Sequence, residues 1–157
     1  MKLSRNLKNQ RGFTLIELLV VIGILAVLLA ITLIAINPAR QFSQANNTKR
    51  RSDVNAILNA VNQYMADNKG VLPTGITEEE LSISGVTGGA NICADLVPTY
   101  IAALPVDPQT GTGAAITEAG CATEYATGYT IMKSAENNRI TVTATTVELA
   151  DPVSVTR

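Results

Sequence analysis

Between Phe13 and Ile36 the chain has 24 residues and one charge, the carboxylate of Glu17. As a helix rising about 1.5 Å per residue, this stretch is roughly 36 Å long, enough to cross a hydrocarbon layer of about 30 Å. Seventeen of the 24 are Leu, Ile, Val or Phe. Each contributes about −0.3 to −0.6 kcal/mol on the insertion scale, which together outweighs an acid costing roughly +3 kcal/mol at mid-span. Insertion therefore survives Glu17, but an ionisable group inside a span requires a partner. Residues 13–36 read as a membrane or filament-core helix.

The flank before the span is basic. Met1 to Gly12 carry Lys2, Arg5, Lys8 and Arg11 and no acid, which holds this segment in the cytoplasm. A secretory signal places its small-residue cleavage site after the apolar run, whereas here the glycine precedes it. The string from Arg11 through Gly12-Phe13-Thr14-Leu15-Ile16-Glu17 to Ala26 resembles the prepilin leader and membrane helix of type IV pilins and type II secretion pseudopilins. The resemblance implies cleavage by a membrane aspartyl peptidase between Gly12 and Phe13, loss of residues 1–12, and N-methylation of Phe13. It also implies assembly into a homopolymer by an inner-membrane platform driven by a cytoplasmic ATPase. Glu17 is then the assembly residue, paired with the new amine of a neighbouring subunit; a self-contact with Phe13 of the same chain, one helical turn away, is the alternative.

Composition narrows the alternatives. The chain has no His and no Trp, which removes the commonest general base and metal ligand, and its two cysteines cannot make a four-thiolate zinc site. A pI near 5.4 argues against a dedicated nucleic-acid binder. No nucleophile with an adjacent base, phosphate loop or carboxylate pair is recognisable, so an enzyme is not expected.

The expected fold is α+β and pilin-like: a long N-terminal helix packed on a small antiparallel sheet. Residues 37–70 continue the helix in amphipathic form, with Val54, Ile57, Leu58, Val61 and Met65 as its apolar stripe. Pro38 marks a kink between the halves. Residues 71–157 form the head. Within it, Thr77 to Leu81 reads as a short helix opened by a capping box, and Asp95 to Leu104 as a second one. Tyr100 to Gly111 resembles the segment preceding the sheet in major pseudopilins. Tyr129–Lys133 and Arg139–Glu148 read as strands joined by a polar turn, with Ile140, Val142 and Ala144 facing the helix. A third strand is expected from residues 114–117 or 121–125.

Cys93 and Cys121, in an exported protein, are expected to form a disulfide. Asp107, with Thr110 and nearby carbonyls, is a candidate calcium site, since major pseudopilins bind calcium in a head loop; one aspartate falls well short of the six to eight oxygens calcium takes. Lys49-Arg50-Arg51 reads as a solvated helical face, with anionic lipid, DNA or a neighbouring subunit as alternative contacts. The function expected is a structural pilus subunit, first a single-pass protein of the cytoplasmic membrane with its N-terminus inside, then part of a surface filament. A periplasmic major pseudopilin and a monomeric membrane-anchored binding module are the alternatives.

Overall fold

The computed structural model describes residues 12–110, 113–150 and 152–157. The basic leader, apart from Gly12, lies outside them. Two compact units divide near Gln41, and each is considered by itself.

The first unit is dominated by α1, Leu15–Ile36. Thr14 caps it: its hydroxyl accepts the Glu17 N–H, and the Glu17 carboxylate accepts the Thr14 N–H in return. None of the α1 side chains is buried. It is the one helix among the described residues long and apolar enough to cross a membrane. The helix ends at Asn37, which adopts a left-handed φ of 46°. Asn tolerates this region because its short side chain can bond locally. Here the Asn37 carbonyl and Oδ1 both accept the Arg40 N–H, at 3.1 and 3.4 Å. Pro38 then opens α2, Pro38–Asp67, where a missing N–H costs nothing. The interruption thus sits on Asn37, and Pro38 is the first residue after it.

In the second unit α2 lays Val54, Ile57, Leu58 and Val61 into the core, all fully buried. They pack among Ile83, Tyr129, Ile131, Ile140 and Val142. The sheet has the order β1-β2-β3-β4, from β1 (Leu81–Ser84), β2 (Ala126–Lys133), β3 (Ile140–Ala144) and β4 (Ser154–Thr156). All neighbours are antiparallel, with Ile131 opposite Val142 and Val142 opposite Val155. Ile140, Val142 and Ala144 alternate inward along β3, as the strand period requires. Two short helices, α3 (Cys93–Leu96) and α4 (Glu118–Cys121), lie between β1 and β2.

Several local expectations fail for identifiable reasons. Residues 77–80 are not helical, and Leu81 begins a strand. Leu81 pairs with Ile131, and the Glu80 carboxylate accepts the Thr130 hydroxyl at 2.6 Å instead of capping a helix. The expected helix over 95–104 stops at Leu96. Pro98 disfavours helical geometry at the preceding residue, and Val97 is extended at φ −100°, ψ 134°. Neither candidate third strand joins the sheet: Ile116 makes only an isolated bridge with Leu104, and Cys121 ends α4. The sheet gains β1 and β4 instead, and the run expected as a strand through Glu148 leaves it after Ala144.

Candidate functional site

Two polar centres stand out, one at each end of the chemistry suggested by the sequence. At the start of α1, Glu17 Oε2 accepts the Thr14 N–H at 2.8 Å and the Thr14 hydroxyl at 2.7 Å. Both bonds use the same oxygen, and among the described residues nothing occupies Oε1. Among the described residues the carboxylate is therefore half satisfied. Because Thr14 caps the helix with extended backbone, at φ −79° and ψ 153°, Gly12 and Phe13 lie outside the helical segment. Both are exposed. The backbone at Gly12 and Phe13 is thus non-helical and accessible.

The second centre lies inside the head and corrects, at Arg50 alone, the reading of Lys49-Arg50-Arg51 as a solvated face. Arg50 is completely buried, as is Asp107. Its guanidinium places each of its five N–H groups on an oxygen. Nε donates to Asp107 Oδ2 at 2.6 Å, and Nη2 to Asp107 Oδ1 at 3.2 Å. Nη1 donates to Asn47 Oδ1 at 3.0 Å and Glu148 Oε2 at 2.8 Å, while Nη2 also reaches Gln109 Oε1 at 3.2 Å. This matches the fixed fork of donors that makes Arg the preferred buried cation. Three segments meet at it: α2, the loop 105–110 and the β3–β4 loop.

Each segment is pinned by further bonds. The Asp107 Oδ1 accepts the backbone N–H groups of Gln109 and Thr110 at 2.8 and 3.2 Å. The Glu148 carbonyl accepts from Asn47 Nδ2 at 2.6 Å, and its carboxylate accepts from Ser43 and Gln109. Burial pushes the Asp107 carboxyl up, but the Arg50 guanidinium and the two loop amides together hold it below the usual carboxylate range. Arg50 likewise holds Glu148 low. Nearby, the buried Tyr129 donates to Asp53 Oδ2 at 2.7 Å, and Lys49 Nζ reaches the same oxygen at 2.6 Å.

Asp107, the candidate calcium ligand, thus directs both oxygens to Arg50. Among the described residues no group of three or more His, Cys, Asp or Glu is placed to hold a metal ion. The Arg50 centre is absent from the sequence reading, although a signal for it exists. Asn47 and Arg50 continue the stripe of Val54, Ile57, Leu58 and Val61 toward the helix start, at the same helical spacing. Cys93 and Cys121 form the expected disulfide, with Cα atoms 5.4 Å apart, and tie α3 to α4.

Comparison with known proteins reaches only the first centre. Residues 7–33 match a family model described as the prokaryotic N-terminal methylation motif. No curated protein and no solved structure matches the chain. The matched residues contain Gly12, Phe13, Glu17 and most of α1, and imply processing by prepilin peptidase and assembly of a pilus or pseudopilus. This N-terminal segment is the signature of type IV pilins and pseudopilins, and the chain carries it on a membrane-length apolar helix followed by an α+β head.

Proposed function

We propose that the chain is a structural subunit of a type IV pilus-like filament, cleaved between Gly12 and Phe13, N-methylated at Phe13 and polymerised through α1. The observation that carries this reading is a 22-residue helix with no buried residue, most of which lies within the matched methylation motif. Such a surface is stable in lipid before assembly and against other copies of itself afterwards. The single carboxylate gives the packing a register. Once cleavage frees the Phe13 amine, that amine on one subunit meets Glu17 of another, and each neutralises a charge that is costly to leave alone in an apolar core. Thr14 already uses Oε2 of Glu17, which leaves Oε1 for the neighbour.

The test compares wild type with Glu17→Leu in the native cell for membrane level, leader cleavage and filament yield. The variant is expected to insert at least as well, since it loses the costly charge. It is expected to be cleaved after Gly12 and to yield few or no filaments. Normal filaments from Glu17→Leu would overturn the assembly role. Mass spectrometry of assembled wild-type subunits should find N-methylated Phe13 at the amino terminus; an intact leader there would overturn the processing. Deletion that abolishes secretion without loss of surface fibres would move the chain to a periplasmic pseudopilus.

A further inference from the structure

The segment from Thr117 to Glu124, which contains α4, runs between two anchored residues. On one side Ile116 exchanges both backbone bonds with Leu104, at 2.8 and 2.9 Å. On the other, the carbonyl of buried Tyr125 accepts the Gly85 N–H at 3.0 Å, and its hydroxyl donates to Asn91 Oδ1 at 2.9 Å. Between these anchors no residue is buried. Among the described residues, the hydrogen bonds of 117–124 also stay within the segment: the N–H groups of Gly120 and Cys121 reach the Thr117 carbonyl, and the N–H and hydroxyl of Thr123 reach that of Gly120. The one covalent or hydrogen-bonded tie from this flap to the rest of the head is therefore the Cys93–Cys121 bond. The far end of that tie is fixed. Cys93 and Leu96 of α3 are completely buried, and the Val97 N–H donates to the Cys93 carbonyl at 2.8 Å. Cys121 is only half-buried. Access helps decide which sulfur of a disulfide is attacked, so a thiolate meets Cys121 first.

We infer that residues 117–124 form a redox-released flap, freed locally when Cys93–Cys121 is reduced by thiols while α2 and the sheet keep their fold. The step consumes two thiols. The first, as thiolate, attacks Cys121 Sγ; the S–S bond breaks, and Cys93 leaves as a thiolate that takes up a proton. A second thiolate attacks the outer sulfur of the mixed disulfide, and Cys121 leaves and is protonated in its turn. The chain gains two electrons and two protons, and the external thiols become a disulfide. Without the cross-link, a segment with no buried residue has little to offset the conformational entropy lost in holding it. The core residues on α2 and the sheet lie outside it and keep their own contacts. Release also divides a cleft of about 330 Å³, whose lining is shared between Gly120, Thr123 and Glu124 of the flap and Val86, Ile116 and Tyr125 outside it. The reduced head thus differs in surface as well as in covalent structure.

The full chain in detergent carries its own reporters for a glutamate-specific protease. Glu118 and Glu124 lie in the flap, Glu136 in the exposed turn between β2 and β3, and Glu148 at the Arg50 centre. With dithiothreitol, cleavage after Glu118 and Glu124 is expected to accelerate by roughly tenfold or more, as local opening requires, with Glu136 and Glu148 unchanged. Cys121→Ser, which never forms the bond, should be cut at the reduced rate without any reductant. No acceleration in the flap, or a wild-type rate in Cys121→Ser, would overturn the proposal. Acceleration at Glu148 as well would mean that the head opens as one unit, and would overturn it too. The direction of attack has a separate readout. Iodoacetamide added soon after glutathione should leave glutathione on Cys121 and the alkyl group on Cys93 in the mass spectrum; the reverse assignment would overturn attack at Cys121.

Discussion

Replacing Arg50 by Met keeps much of the apolar stem and removes the guanidinium, so the loss isolates the buried ion centre. Asp107, with no exposed side-chain surface, would keep only the Gln109 and Thr110 amides as donors among the described residues. Breaking a buried pair by removing one partner costs about 3 to 5 kcal/mol. The unit containing it runs from Phe42 to Arg157. For a unit of that size each kcal/mol lowers the melting temperature by about 4 °C, so Arg50→Met should melt roughly 12 to 20 °C below wild type. The assay is thermal unfolding of the full chain in detergent, followed by circular dichroism. A double variant, Arg50→Met with Asp107→Leu, should recover much of the loss, because it removes the stranded charge as well. The pH dependence has a definite sign. Asp107 and Glu148 are held below their usual values, so their contribution is complete above about pH 4 to 5 and is lost as pH falls through the lowered folded pKa values. In Arg50→Met, burial without its cation raises Asp107 instead, and acid relieves that variant. The gap between the two proteins should therefore narrow on acidification. A variant melting within about 3 °C of wild type at pH 7, or single costs that simply add in the double variant, would refute the assignment.

Two further perturbations test the rest of the head. Cys93→Ser opens a cross-link between residues 28 apart, which in the chain-entropy model removes roughly 3 to 4 kcal/mol; the variant should melt well below wild type, and thiol labelling of both cysteines in native, unreduced protein would contradict the cross-link. Gly128 has φ +80°, and a Cβ there would stand 2.7 Å from the Asp107 Cβ and press on the Thr110 hydroxyl. Gly128→Ala should therefore cost clearly more than Gly88→Ala, where φ is +88° and nothing lies within 4 Å, since both carry the left-handed cost of about 1 to 2 kcal/mol but only the first displaces the Asp107 loop. Equal losses would remove the crowding from the account.

What could be read from the sequence is what depends on near neighbours. The apolar run of α1, the stripe from Val54 to Val61 and the alternation of Ile140, Val142 and Ala144 are each legible within a few residues, and each forms the expected element. The two missed strands depend on distant partners. Leu81 pairs with Ile131 and Val155 with Val142, and neither short segment has enough residues to show a period of its own. Thr77-Glu78-Glu79-Glu80 has the composition of a helix start, but Leu81 and Ile83 after it alternate, and the β2 edge offers them a ladder that an isolated turn of helix cannot match.

Arg50 failed to be read for a related reason, and the failure marks where the head changes character. A charge run on a helix usually faces water, and Lys49 and Arg51 on either side do remain exposed. Arg50 lies between them at the spacing of the buried stripe, four residues before Val54. The stripe thus continues toward the start of α2 but changes from aliphatic to polar, because what covers it there is no longer the sheet. It is covered by two loops, whose backbone groups and carboxylates need donors rather than methyl groups. Those acids lie 57 and 98 residues away, so no local window contains the pair. A basic residue in register with an apolar stripe, rather than a dense run of bases, was the signal that a loop-borne carboxylate must return to meet it.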